Sequence, residues 1–185
     1  LIQSTKEPLV EIFQHKGSSE CNVDLNDPLC NFEQLPYKDF RSKFQNDLSS
    51  SPDSSFVREA LGKGLLSQDR QSINPLKFGV IASTDTHLGT PGAVDESSFQ
   101  GHGGAGKSFR SSIPEGLPDD IEFNPGGLAV AWAEENSRSA IFDAFQRKEV
   151  YGTSGPRFIV RFFVGDNLDK NLCNNPDNIS YAYAK

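Results

Sequence analysis

The sequence lacks methionine altogether and contains three histidines and three cysteines among its 185 residues. No apolar run approaches the roughly 20 residues that a membrane-spanning helix requires, and no secretory signal segment is present. We therefore expect no membrane partner. Because the chain starts at Leu1 without a methionine, its natural start is expected to have been removed. The chain would then be a piece of a longer polypeptide, and we expect the remainder of that polypeptide to be a partner of this piece.

Basic residues are in the minority. The chain has 18 lysines and arginines against 25 aspartates and glutamates, which gives a net charge of -7 and a pI near 4.9. A nucleic-acid partner requires a concentration of lysine and arginine that can displace counterions from phosphates. The sequence offers no such stripe, so we expect no nucleic-acid binding.

The bulk composition is that of a folded chain with many loops. Hydrophobic residues make up 36% and charged residues 23%, which is typical of globular rather than disordered proteins. Sixteen glycines and eleven prolines favour short elements and irregular connections. The length allows one domain, or one domain with part of another.

The segment from Phe78 to His87 is the part around which the rest of the chain is expected to be arranged. Its apolar run is followed by small polar residues, which predicts a buried strand that ends in Asp85-Thr86-His87. A carboxylate and a neutral imidazole two residues apart are suitable ligands for a divalent metal. Alternatively, Asp85 caps the next turn and His87 satisfies a local hydrogen bond.

A second strand is predicted at Leu9–Phe13, followed by a polar turn that contains His15. Glu11 and His15 would join the Asp-x-His pair in one carboxylate and imidazole cluster, drawn from two neighbouring strand ends. The alternative is that Glu11 pairs with Lys16 and that His15 is solvated.

The cysteines allow several interpretations. Cys21 and Cys30 lie nine residues apart in a polar, proline-containing loop, where they could form a disulfide, remain two free thiols or bind a metal. No Cys-x-x-Cys pattern supports the metal. Cys173 would remain to pair with a residue outside this chain.

Alternating helices and strands predict an α/β fold. Gly62 and Gly64 are expected to end the second helix. Ser137 is expected to cap the third, whose apolar face would comprise Ala140, Ile141, Ala144 and Phe145. The predicted helices start at Pro36, after Ser55 and at Ser137, and the further predicted strands are Leu128–Trp132 and Arg157–Phe163.

A long glycine- and proline-rich connection covers residues 88–127. Its segment Gly101–Ser108 formally matches a phosphate-binding loop, but no apolar strand precedes it and Pro114 interrupts the helix that should follow. We therefore interpret the connection as a mobile lid that brings His102 and Lys107 near a substrate.

Several of these stretches together resemble one family. The chain resembles the carboxyl-terminal part of the domain of unknown function 3604 family, itself similar to the polymerase and histidinol phosphatase (PHP) metallohydrolases. The most specific pieces are Ser83–His87 and Tyr151–Gly155. The other stretches that carry the resemblance are Leu9–Cys21, Asn74–His87, Leu128–Tyr151 and Arg161–Phe163.

The resemblance implies a fold and a metal site. Residues 1–155 would be the carboxyl-terminal part of a distorted PHP-like β/α barrel with irregular loops, and residues 156–185 the truncated start of a β-rich extension. Two or three zinc, manganese or iron ions would lie at the carboxyl-terminal face of that barrel. Asp85 and His87 would bind metal, while Glu11 and His15 would bind it directly or hold its ligands.

The resemblance also implies an activity. The leading hypothesis is a metal-dependent phosphoesterase acting on a small anionic substrate, in which His15 or His102 transfers a proton and Lys107 or Arg157 grips the anionic group. The alternatives are hydrolysis of a carboxylic ester, carbamate or sulfate ester, and a non-catalytic module that binds carbohydrate or protein.

Two further expectations follow from the resemblance. The family's amino-terminal His-x-His motif and its middle glutamate and histidines have no counterpart here, so the piece is expected to be inactive alone. Export signals are common in the family, which favours a periplasmic or secreted location and agrees with a disulfide between Cys21 and Cys30.

Overall fold

The computed structural model describes residues 5–15, 17–21, 28–31, 56–86, 91–92, 94, 97 and 126–184. The helix predicted to start at Pro36 and the Gly101–Ser108 segment lie outside the described residues. The strands are β1 (Leu9–Gln14), β2 (Gly17–Ser18), β3 (Gly79–Ala82), β4 (Leu128–Ala131) and β5 (Val150–Thr153). The helices are α1 (Val57–Gln71), α2 (Arg138–Arg147) and α3 (Asn178–Tyr183), with 3-10 turns at Pro28–Asn31 and Leu172–Asn174.

β1 lies at the centre of a three-stranded sheet, antiparallel to β2 and parallel to β3. Glu11 pairs with Ile81 and Phe13 with Ala82, so that one residue of β1, Ile12, has no partner in β3. Such a bulge bends a strand and changes where its side chains point. Glu11 is accordingly exposed while Phe13 is buried. The parallel pairing brings the carboxyl ends of β1 and β3 to the same edge.

β4 and β5 form a separate antiparallel pair that packs closely on β3. A Cβ atom at Gly152 would lie 2.7 Å from the backbone nitrogen of Ala82, and one at Gly79 would lie 3.0 Å from Val150 Cγ2. Gly79 thus meets the start of β5 and Ala82 meets its end, so β5 runs in the same direction as β3. The predicted mixed α/β architecture is confirmed, and the described strands form two open sheets rather than a closed barrel.

Helix α1 begins against the loop that follows β2. The N–H groups of Val57 and Arg58 donate to the carbonyl oxygens of Ser19 and Glu20, at 3.1 and 2.9 Å, which satisfies donors that lack partners within the helix. The cysteines of that loop are buried, and the Cys21 and Cys30 sulfurs lie 2.07 Å apart, at disulfide distance.

The end predicted for α1 near Gly62 and Gly64 is wrong, because the helix continues to Gln71. Gly64 is buried, and a Cβ atom there would lie 3.0 Å from Leu76 Cβ. Glycine at this position therefore makes room for the returning chain instead of ending the helix. The helix ends at Ser72, whose φ of 57° is left-handed.

Helix α2 follows its sequence signals closely. The Ser137 Oγ accepts a hydrogen bond from the Ala140 N–H at 3.3 Å, which confirms the predicted cap. Ala144, on the predicted apolar face, is fully buried. Lys148 ends the helix in the left-handed conformation and leads directly into β5.

The strand predicted at Arg157–Phe163 is wrong: the structure has no strand between residues 156 and 184. A β-rich extension that begins near residue 156 stays a prediction. Side chains, rather than a neighbouring strand, provide hydrogen-bond donors to some of the backbone carbonyl groups in this segment. The Tyr151 hydroxyl donates to the Phe158 carbonyl at 2.8 Å, and the Trp132 Nε1–H donates to the Val160 carbonyl at 3.2 Å. The apolar pattern of a strand is present, but it meets no partner strand among the described residues. A domain boundary at residue 155 stays a prediction.

In the described part of the chain, none of the helices combines the length and the apolar character needed to cross a membrane.

Candidate functional site

The candidate site lies at the edge where β1 and β3 end. The bulge in β1 exposes Glu11 and is followed by His15, and β3 is followed by Ser83, Thr84 and Asp85. Residues more than 60 positions apart in the chain therefore meet because their strands are parallel neighbours.

His15 and Asp85 form the central pair of this site. The His15 Nδ1 lies 3.3 Å from the Asp85 Oδ2, an ion-pair distance when the imidazole is protonated. His15 is only 6% exposed, whereas 37% of the Asp85 side chain is open to solvent. The alternative in which His15 is solvated is therefore wrong. The pair joins a buried imidazole to a carboxylate at the surface, an arrangement in which the carboxylate can fix the orientation and tautomer of the imidazole.

Ser83 links the two strand ends. Its Oγ donates a hydrogen bond to the Glu11 carboxylate and accepts one from the Asp85 N–H at 3.1 Å. Sequence reasoning missed this role. A signal was available, because serine and threonine hydroxyls often accept from the N–H two residues ahead. Thr84 makes the same contact with the Thr86 N–H at 3.2 Å.

Asp85 adopts an uncommon backbone conformation. Its φ is 53°, in the left-handed region that L-residues other than asparagine and aspartate rarely occupy. Such conformations persist where surrounding contacts impose them, and they concentrate at functional sites. Here the contacts with Ser83 and His15 hold the residue in place.

Two glycines support the segment that carries Asp85. Gly126 has a φ of 82°, and a Cβ atom there would lie 2.6 Å from Thr84 Cα. The Gly127 N–H donates to the Ser83 carbonyl at 2.7 Å. A Cβ atom at Gly127 would also overlap Thr153 O at the end of β5. From the sequence alone, both glycines were predicted to lie in a loop. In the structure they allow the chain that enters β4 to pack closely against the segment that carries Asp85.

Four further site residues were predicted from the sequence: His87, His102, Lys107 and Arg157. His87, His102 and Lys107 lie outside the described residues. The Arg157 guanidinium donates to the carbonyl oxygens of Gly92, at 2.8 Å, and of Val94, at 3.3 Å. Arg157 thus anchors a loop, and its role in binding an anion stays a prediction.

The described residues supply metal-binding atoms without completing a metal site. The carboxylates of Glu11 and Asp85 and the imidazole of His15 are donors that zinc, manganese and iron accept. Within the described part of the chain, however, no group of three or more histidine, cysteine, aspartate or glutamate side chains could hold an ion together.

A comparison with protein families identifies the chain. Residues 2–185 match the family described as "Protein of unknown function (DUF3604)". The chain belongs to the DUF3604 family. This confirms the DUF3604 family predicted from Ser83–His87 and Tyr151–Gly155, and the match covers nearly the whole chain. The relationship to the PHP metallohydrolases and the carboxyl-terminal placement stay predictions. No curated protein and no solved structure matches this DUF3604 chain.

Proposed function

We propose that this DUF3604 chain carries part of the active site of a metal-dependent hydrolase, most simply a phosphoesterase related to the PHP metallohydrolases. The observation that supports the proposal is the His15–Asp85 pair at the shared end of two parallel strands. Active sites of barrels and open α/β sheets lie at that end of the strands. In this proposal the described strands are the carboxyl-terminal part of a distorted PHP-like barrel.

Each residue at this edge has a distinct role in the proposal. Asp85 presents a solvent-accessible carboxylate, and His15 orients it from the buried side. His15 also serves as a proton carrier, since imidazole exchanges protons near neutral pH. Ser83 holds the Glu11 carboxylate next to the segment that carries Asp85, because its hydroxyl bonds both that carboxylate and the Asp85 backbone N–H.

The chemistry of these donors fits a divalent metal, but their number is too small. Metal sites that catalyse hydrolysis use at least three protein ligands and leave a position open for water. His87 is the predicted additional ligand, and the remainder of the parent polypeptide would supply others. When bound, such a metal lowers the pKa of a water molecule to about 7 and polarises the scissile group.

The proposal predicts weak metal binding and no turnover by this chain alone. Isothermal titration with zinc and with manganese would measure affinity in the wild type and in Asp85→Asn, beside hydrolysis assays with a phosphodiester and a carboxylic ester. Asp85→Asn should lower the affinity by at least about tenfold, because losing even a supporting contact typically costs 10- to 100-fold.

Asp143→Asn is the matched control, because Asp143 is exposed on α2 and should not affect binding. If metal binds equally to the wild type and Asp85→Asn, Asp85 is not a ligand and the proposal fails. Tight stoichiometric binding with metal-dependent turnover, abolished by Asp85→Asn, would instead prove that the chain is a complete enzyme.

We also propose that the chain functions in the periplasm or outside the cell. The disulfide-distance pair of buried cysteines supports this, since disulfides persist in oxidising compartments. Alkylation of thiols in intact cells, followed by mass spectrometry, should find Cys21 and Cys30 unmodified and joined. Recovery of both as alkylated free thiols would contradict the proposal.

A further inference from the structure

A cavity lies away from the strand-end cluster, between Trp132 at the end of β4, the chain around residue 161 and the region of α3. Its volume is about 490 Å³. This falls within the 300–1,000 Å³ typical of small-molecule sites. Its walls are largely apolar, with two polar side chains among them. They include Trp132, Phe163, Leu172 and Ile179, together with Arg161 and Asn178. We call this cavity the aromatic pocket.

Arg161 is fixed within the aromatic pocket by aromatic side chains. Its guanidinium carbon lies 3.5 Å from the centre of a Trp132 ring, and one N–H donates to the Tyr183 hydroxyl at 3.0 Å. Tyr183 is itself packed edge-on against Phe163, with ring centres 5.2 Å apart. Stacking of this kind holds the planar cation in one orientation.

No carboxylate in the described part of the chain balances the charge of Arg161. Among the described residues, Arg161 forms no ion pair, and a guanidinium has five N–H donors of which the Tyr183 hydroxyl accepts one. The recess on the other side of Arg161 contains Lys148 and Glu149. Glu149 is already occupied, because its carboxylate accepts from Arg147 at 2.9 Å. That hydrogen bond is the main reason why the pKa of Arg147 is raised.

The exposed guanidinium of Arg161 borders apolar walls, so one edge of the pocket is cationic and the rest is largely apolar. A ligand that matches it has an apolar ring to displace water from the walls and one anionic group to accept from the guanidinium. Phosphate or another small anion would leave the apolar walls without a partner. A neutral hydrocarbon would leave Arg161 without one.

We propose that the aromatic pocket binds an aromatic carboxylate, with its ring against Phe163, Leu172 and Ile179 and its carboxylate on Arg161. This site is independent of the hydrolase proposed above, since none of its residues belongs to the strand-end cluster.

The test compares 4-tert-butylbenzoate with its neutral amide on the intact chain. Trp132 is the single tryptophan, so its fluorescence reports binding in the pocket directly. Titration should change the Trp132 emission, with the carboxylate binding about tenfold more tightly than the amide, because charge-assisted hydrogen bonds are about twice as strong as neutral ones. This measurement needs only the wild-type protein. Equal affinities for the carboxylate and the amide, or no binding of the carboxylate at millimolar concentration, would overturn the proposal.

Variants then locate the anion. Arg161→Gln should abolish the preference for the carboxylate while leaving the affinity of the amide nearly unchanged. Arg138→Gln, which removes an exposed arginine from α2, should change neither affinity. If Lys148→Gln removes the preference and Arg161→Gln does not, the anion occupies the recess on the opposite side and the assignment is wrong.

Discussion

The conformation of Asp85 depends on contacts from three different parts of the chain. His15 follows β1, Ser83 follows β3, and Gly126 precedes β4. A left-handed aspartate costs conformational free energy, so these contacts must offset that cost. A substitution that weakens any of them should therefore affect stability and the geometry of the carboxylate together.

Gly126→Ala tests this dependence. Alanine at a φ of 82° is strained, and its Cβ would lie 2.6 Å from Thr84 Cα. We expect the free energy of unfolding to fall by about 2 kcal/mol or more. Urea denaturation followed by circular dichroism would measure the change.

The control is Gly62→Ala on α1, where an added Cβ meets nothing within 4 Å. Alanine there should stabilise the protein by about 0.5–1 kcal/mol, because glycine is unfavourable inside a helix. Similar effects of the two substitutions would refute the supporting role of Gly126.

At the scale of helices and strands, the sequence correctly predicted the elements whose formation depends on contacts between residues close in the chain. Helix α2 has its serine cap and its buried alanine where the sequence indicates them. The end of α1 could not be predicted, because Gly64 serves a contact with Leu76 that only the fold creates. The apolar segment at Arg157–Phe163 has strand character, but pairing requires a neighbour that a sequence pattern does not reveal.

The disulfide-distance pair Cys21 and Cys30 lies next to the start of α1, because Ser19 and Glu20, just before Cys21, accept from the first N–H groups of that helix. Arg58 on α1 also contacts the Glu20 carboxylate and donates to Cys30 Sγ at 3.8 Å. Replacing both cysteines by serine should lower the free energy of unfolding by about 2–3 kcal/mol, the loop-closure contribution for a loop of this length. Thermal denaturation with and without reductant would measure it.

Cys173→Ser is the matched substitution for that experiment, because Cys173 is a free, exposed thiol. It should leave the melting temperature unchanged, and reductant should not lower the melting temperature of the double serine variant. A wild-type protein insensitive to reductant would argue that the bridge contributes nothing.

On the scale of the whole molecule, the site could be predicted only in outline. Glu11, His15 and Asp85 were expected to cluster at two neighbouring strand ends, and His15 and Asp85 do meet directly. The roles of Ser83 and of the two glycines depend on how three strands pack, which composition and periodicity do not encode. The bulge at Ile12 likewise follows from pairing rather than from its own sequence.

The overall charge leads to a further expectation. With 25 acidic and 18 basic residues, the chain should be repelled by the phosphates of nucleic acids. Fluorescence anisotropy of a labelled DNA duplex, and of a single strand, should show no binding by micromolar protein at low salt. Binding that weakens steeply as salt rises would reveal a basic surface that the net charge conceals.

The contact between Gly127 and Ser83 has a consequence for protein engineering. It joins the chain that leaves β3 to the chain that enters β4, so both ends of the intervening stretch are held at fixed points. Lengthening a connection between fixed ends costs little free energy, because the closure entropy grows only with the logarithm of its length. A longer connection between Ser83 and Gly127 should therefore leave Asp85 in place.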